Sequence, residues 1–269
     1  MKLRLIFLDE RFRRRMPSRE FLCNICGKKS VSPEVRLHGR ETPSCSRCGS
    51  NRRFRSIIAA LSLELFGEIV PLSDFSPSKK ITGIGLSDWE GYAVLLSRKF
   101  SYTNTFYHKS PRLDITSTDD VMKYKADFII CSDVLEHVPP PVDTAFTHLF
   151  QILKPGGICV FSVPYCGEGD TVEHFPGLFD YRIIQEDNRF VLENTTREGR
   201  MERYHGLRFH GGGGATLECR VFSESSLLEN IRSAGFSQIT IHGEDLPRHG
   251  ILMEGDATSH VITMRKNSG

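Results

Sequence analysis

Apolar and polar positions change their rhythm several times along this chain. Residues 52–66, NRRFRSIIAALSLELFG with its flanks, place Ile57, Ile58, Leu61 and Leu65 at helical spacing, and Gly67 closes the run. The pattern predicts a helix from about 52 to 66, followed by a Pro- and Ser-rich boundary loop, PLSDFSPSKK. From Lys79 onward, strand-like and helix-like stretches alternate. KKITGIGLSD reads as a strand entering a glycine-containing turn, and Ser87-x-x-Glu90 fits a capping box for a helix reaching about Arg98. SYTNTFYH reads as a second strand and RLDIT as a short third. ADFIICSD is apolar on both faces, as in the middle of a parallel sheet. Val142 to Leu153 reads as a helix stopped by Lys154-Pro155-Gly156-Gly157, and ICVFSVPY as a fifth strand. FSESSLLENIRSAGF is a last helix, with SQITIHGED and HVITMRK as final strands. This alternation predicts an α/β fold with a doubly wound, mostly parallel sheet.

In such sheets ligands gather at the carboxyl ends of the strands. The segment FIICSDVLEHVPPPVDTAF, residues 128–146, therefore reads as a buried strand whose tip, Ser132-Asp133, lies on the functional rim. The prolines at 139–141 keep the chain out of helical geometry as it leaves.

Cysteines set the N-terminal piece apart. Cys23-x-x-Cys26 and Cys45-x-x-Cys48 each bring two thiols onto one tight turn, with Gly27 and Gly49 just beyond. Two such knuckles supply the four soft ligands of a tetrahedral, structural Zn²⁺. Two disulfides or two redox dithiols are the alternatives. Cys131 and Cys159 sit in apolar runs and read as core. The expected organisation is a basic segment and zinc module over 1–51, a connecting helix and linker over 52–78, and a catalytic domain over 79–269. Within that domain, residues 165–222 form a long acceptor-site insertion or lid.

Charge is unevenly spread. Residues 1–55 hold 15 Lys+Arg against 5 Asp+Glu, whereas the remainder holds 20 against 28. Such a basic segment serves either a nucleic-acid partner or internal docking. With 39% hydrophobic and 25% charged residues, no apolar run long enough to span a membrane and no signal-peptide pattern, the expectation is a cytoplasmic protein.

Four motifs in order, Gly83-Ile-Gly85 with Ser87-Asp88, Asp114 in LDIT, the SDVLEHV segment and LKPGG before a strand, resemble class I S-adenosylmethionine-dependent methyltransferases over about residues 79–265. The resemblance implies a seven-stranded-type Rossmann-like sheet behind a zinc-ribbon-like module. It implies S-adenosylmethionine held by Gly83, Gly85, Ser87, Asp88, Asp114, Ser132, Asp133 and Val134. The usual acid at the tip of the second strand is replaced by His108-Lys109-Ser110. A general base near neutral pH is most often histidine, and His137, His174 and His210 are the candidates. The run Gly211–Gly214 after His210 reads as a lid or hinge. A small-molecule or glycan acceptor leads. An RNA methyltransferase using the basic module and a non-catalytic zinc-ribbon adaptor are the alternatives.

Overall fold

The computed structural model describes residues 17–211, 216–253 and 259–268. The chain divides into two units. One comprises the described parts of Met1–Ser76 and Gly243–Asp256, the other those of Pro77–His242 and Ala257–Gly269.

In the first unit, β1 (Ser18–Leu22) and β2 (Lys29–Pro33) form an antiparallel hairpin. The knuckle between them closes through the Gly27 N–H on the Cys23 carbonyl, 2.8 Å, with Gly27 at φ +67°. The second knuckle repeats this device, Gly49 N–H to Cys45 O at 2.9 Å and φ +76°. Both turns need the left-handed conformation that glycine adopts without penalty. A short helix, α1 (Glu34–His38), precedes the second knuckle.

Helix α2 (Arg52–Phe66) matches the span its periodicity predicts. The Asn51 side chain accepts from Phe54 N–H at 2.9 Å and Gly67 ends the helix in left-handed geometry. Ile57, Ile58 and Leu61 are fully buried. Helix α2 belongs to this unit, and so does the excursion from Gly243. Arg55, with no exposed surface, donates to the carbonyls of Ser50 (2.9 Å) and Gly250 (2.7 Å) and to Ser44 Oγ (2.9 Å). Arg52 donates to Leu252 O at 3.0 Å. Arg53 pairs with Glu41 and Arg19 with Glu34. These basic side chains serve the unit's own architecture.

The second unit is built on β3 (Ser78–Leu86), α3 (Glu90–Lys99), β4 (Phe100–Thr105), α4 (Thr118–Val121), β5 (Ala126–Ser132), α5 (Asp143–Ile152) and β6 (Leu153–Ser162). Next come β7 (Tyr165–Cys166), β8 (Val172–Glu173), β9 (Asp180–Glu186), β10 (Arg189–Thr195), β11 (Met201–Tyr204), β12 (Phe209–His210), β13 (Thr216–Leu217) and β14 (Arg220–Ser223). Helix α6 (Glu224–Ser233), β15 (Ser237–His242) and β16 (Val261–Arg265) complete it.

The main sheet has the order β15-β16-β6-β5-β3-β4. Strands β4, β3, β5 and β6 run parallel, and β16 is antiparallel to both neighbours. Cys131 and Cys159, fully buried on β5 and β6, join Ile129, Phe146, Leu149 and Phe161 in its core.

Two expectations are corrected. Among the described residues the sheet has six strands, not seven, because RLDIT does not form a strand. Arg112 makes a single bridge to Phe106, and the chain then turns at Ile115-Thr116 as the Asp114 side chain captures backbone instead of leaving it for a ladder. The capping box at Ser87 is likewise absent. Ser87 takes φ +58°, and α3 begins later, after Trp89, without a side-chain cap.

The insertion over 165–222 is β structure. Strands β9, β10 and β11 form an antiparallel meander whose first turn places Asp187 and Asn188 at positive φ, the geometry of a two-residue hairpin. Strand β14 lies between β7 and β8. Phe175, Leu178, Leu192, Leu217 and Cys219 give this insertion its own small core. The glycines expected as a lid fall at 212–214, outside the described residues, beyond Gly211 at φ +80°.

Candidate active site

Gly83 and Gly85 are enforced by packing. A Cβ at Gly83 would stand 2.2 Å from the Phe128 ring, and one at Gly85 would stand 2.0 Å from Tyr102 Oη and 2.2 Å from Asp88 Oδ2. The strand therefore runs close to its neighbours and delivers a tight loop at its carboxyl end. Ser87 N–H donates to Thr105 O at 2.7 Å. Asn104 latches the loop from both sides, accepting from Asp88 N–H and donating to Asp88 O, each at 2.9 Å. The Asp88 carboxylate turns inward to the Tyr102 hydroxyl. Burial, then the Asp88 charge, pushes the Tyr102 phenol well above its ordinary range, so it stays the donor. Asp88 thus shapes the loop through an internal bond.

Asp114 lies half-buried just past the Phe106–Arg112 bridge. Its Oδ1 accepts from Thr116 N–H (2.9 Å) and Thr116 Oγ1 (2.7 Å), and Arg112 lies 3.4 Å from Oδ2. The next segment of rim is the junction of β5 and β6. Asp133, at φ +54°, donates its N–H to Ser162 O at 2.8 Å, and Ser132 Oγ meets Ser162 Oγ at 2.9 Å. Val134 leads into a 3₁₀ turn, Leu135–His137, that presents Glu136 and His137.

That turn is held from 80 residues away by the strand entering β14. Arg220, with no exposed surface, donates to Leu135 O (2.7 Å) and Val138 O (2.6 Å), and its Nε to Glu173 Oε1 (2.6 Å). Cys219 N–H donates to Glu136 O at 2.7 Å. His137 Nδ1 donates to Leu217 O at 2.7 Å. Every residue from 135 to 138 is tied to the segment 217–220 by these bonds or by the Cys219 thiol on His137 O, 3.5 Å.

The same segment gathers the other histidines. Glu218 bonds His174 Nε2 through Oε1 (3.0 Å) and His210 Nε2 through Oε2 (2.9 Å). The rings of His137 and His210 meet edge to face with centroids 4.7 Å apart. All three candidate histidines thus converge, joined by Glu136 and Glu218. Burial raises the Glu218 carboxyl, but the hydrogen bonds and charges of His174 and His210 outweigh it and hold it below the usual range. For His137, burial leads and the neighbouring His210 adds to it, lowering the imidazole below its ordinary value despite the Leu217 carbonyl. A carboxylate hydrogen-bonded behind an imidazole is the arrangement of an oriented general base.

Glu218 and Arg220 escaped the sequence reading, and Glu136 entered it only as part of SDVLEHV, without a role. Arg220 had one visible signal, a lone charge inside the strand-like run CRVFS.

In the first unit the thiols of Cys23, Cys26, Cys45 and Cys48 lie within 4.8 Å of one another, and none is in a disulfide. The Cys23–Cys48 and Cys26–Cys45 sulfurs are 3.7 and 3.9 Å apart. Sulfurs at about 2.3 Å from a tetrahedral Zn²⁺ stand roughly 3.8 Å from each other, so the donor set fits. Burial, with the Cys23 sulfur beside it, pushes the Cys26 thiol up to about 11, which a cation would reverse.

A family model described as a methyltransferase domain matches residues 67–241. No curated protein matches the chain. Among solved structures, similarity extends to the Burkholderia thailandensis 1,6-didemethyltoxoflavin-N1-methyltransferase with bound 1,6-didemethyltoxoflavin and S-adenosylhomocysteine, at 15% identity and TM-score 0.43, covering 79% of this chain and 78% of that one. It extends also to CalS10, an amino pentose methyltransferase of Micromonospora echinaspora, at 12% identity and TM-score 0.44, covering 81% and 93%. The sugar N-methyltransferase KedS8 of Streptoalloteichus is similar at 10% identity and TM-score 0.41, covering 78% and 85%. With the family model spanning well over half of its length, the chain belongs to this methyltransferase-domain family.

Proposed function

We propose that the protein methylates a small-molecule or glycan acceptor at the histidine–glutamate cluster, with a structural Zn²⁺ in the four-cysteine centre. The convergence of His137, His174 and His210 with Glu136 and Glu218, beside the tips of β5 and β6, carries this reading. Bound S-adenosylmethionine supplies an electrophilic methyl group. The loop Gly83–Asp88 and the residues Asp114, Ser132, Asp133 and Val134 form its cradle. With Glu218 ionised, His174 Nε2 carries the hydrogen-bonded proton and Nδ1 is the proton acceptor for the incoming group. The protein otherwise orients the partners for in-line displacement. The commitment of Arg19, Arg52, Arg53 and Arg55 to partners inside the first unit favours this acceptor class over RNA, which needs a continuous basic track.

His174→Ala tests the catalytic assignment. Turnover should fall about 10²–10⁴-fold, the usual contribution of a positioned base, with cofactor affinity preserved. Unaltered turnover on the acceptor removes His174 from the chemistry. Asp114→Ala tests the cradle: S-adenosylmethionine binding should weaken by about 1–3 kcal/mol, the scale of a lost charge-assisted hydrogen bond. Equal affinity in calorimetric titration removes Asp114 from the cradle.

A further inference from the structure

Three side chains of the cluster have an arrangement that proton transfer does not require. Glu136 Oε1 stands 3.6 Å from His137 Nε2 and 3.9 Å from His210 Nδ1, and one ligand atom from each residue falls within 4.8 Å of the others. Both separations exceed hydrogen-bond length. Two ligands at 2.0–2.1 Å from one tetrahedral ion stand roughly 3.4 Å apart. The two carboxylate–imidazole separations would need to close by about half an ångström or less around an ion, and the two ring nitrogens lie within 4.8 Å of each other.

The unused nitrogens are already chosen. His137 has its Nδ1 proton on the Leu217 carbonyl, which leaves the Nε2 lone pair on the Glu136 side. His210 has its Nε2 on Glu218, which leaves Nδ1 toward the same carboxylate. A backbone carbonyl and a carboxylate are the two partners that metal-binding histidines most often use to fix tautomer and ring orientation. The perpendicular rings bring these nitrogens within 4.8 Å of each other without stacking. Glu136 is nearly inaccessible, its side chain 2% exposed, and its own main-chain oxygen is tied to Cys219. A carboxylate buried this deeply favours a cation beside it.

We infer that Glu136, His137 and His210 form a divalent transition-metal site, separate from the four-cysteine centre, with open positions for an oxygen donor of the acceptor. Two imidazoles and a carboxylate suit Zn²⁺, Mn²⁺ or Fe²⁺ better than Mg²⁺ or Ca²⁺. Three protein ligands leave coordination free, unlike the closed set of four thiolates. The inference rests on the cluster being the acceptor site, and it narrows the acceptor to a molecule with a hydroxyl or similar oxygen that can complete the shell. His174 remains outside the ligand set, available for the proton.

Titrating the zinc-loaded, full-length protein with Mn²⁺ and following the electron paramagnetic resonance of the free ion tests this. Mn²⁺ is a poor competitor for thiolates, so it reports on the new site alone. Near-stoichiometric binding is expected in the wild type, abolished in Glu136→Gln and His210→Ala. Glu218→Gln, which removes only an outer partner, should weaken it about 10–100-fold. No Mn²⁺ binding by the wild type, or binding unchanged in His210→Ala protein that retains its wild-type melting temperature, overturns the inference. Titrating the same wild-type sample with S-adenosylmethionine separates the two levels. Cofactor binding without Mn²⁺ binding defeats the metal site alone; failure of cofactor binding defeats the proposed function.

Discussion

Cys23→Ser is expected to release the zinc proposed for the four-cysteine centre and unfold the first unit. Cys23 is fully buried and holds two roles, its sulfur near Cys48 at 3.7 Å and near Ser50 Oγ at 3.4 Å. Among the described residues the unit's regular structure is two five-residue strands, a five-residue helix, α2 and two three-residue 3₁₀ turns. Elements this short bury too little apolar area to be secure without a staple. Structural Zn²⁺ in small modules contributes apparent binding energies of about 10–16 kcal/mol near neutral pH, most of which appears as folding energy. The serine variant should therefore lose the four-cysteine metal equivalent, and protease cleavage should move into residues 17–76. A variant that retains that equivalent and the wild-type protease pattern contradicts the zinc assignment. Chelation of the wild-type protein should reproduce the variant's behaviour.

Arg220→Met should destabilise the second unit by about 1–3 kcal/mol for each buried carbonyl it leaves without its charged donor. Glu173, 29% exposed, is solvated in the variant and adds little. Methionine keeps the length but leaves Glu173 and the carbonyls of Leu135 and Val138 without their donor. With domain stabilities of about 5–15 kcal/mol, this is a large fraction of the total. The denaturant midpoint should drop accordingly. At temperatures where the variant stays folded, turnover should fall with it, because the turn carrying Glu136 and His137 loses its clamp. A change below about 1 kcal/mol would mean the turn is held by its other bonds alone.

The dependence on Arg220 explains what the sequence disclosed and what it hid. Helix α2 was legible because its signals are local: a side-chain cap at Asn51, apolar residues one turn apart, and Gly67 in left-handed geometry. The buried strands β5 and β6 were legible for the same reason. RLDIT misled because Asp114 and Thr116 prefer each other to a ladder, a competition that composition does not reveal. Ser87 misled because a capping box presumes an extended N-cap, and here φ is +58°. The histidines were picked individually by residue type. Their gathering around Glu218 is set by β14 reaching back to the turn after β5, a contact between residues about 80 apart that no spacing rule encodes. The cysteine knuckles were the opposite case, since two tight turns bring four thiols together almost independently of the rest.

The measurement that bears most directly on the central claim is calorimetric titration of the folded, zinc-loaded protein with S-adenosylmethionine and S-adenosylhomocysteine. The account predicts saturable, one-to-one binding of both, weakened by Asp114→Ala and unaffected by His174→Ala. A folded protein with its zinc in place that binds neither compound would contradict it. The lack of a carboxylate at the tip of β4 would then be the decisive feature, and a non-catalytic adaptor the better description.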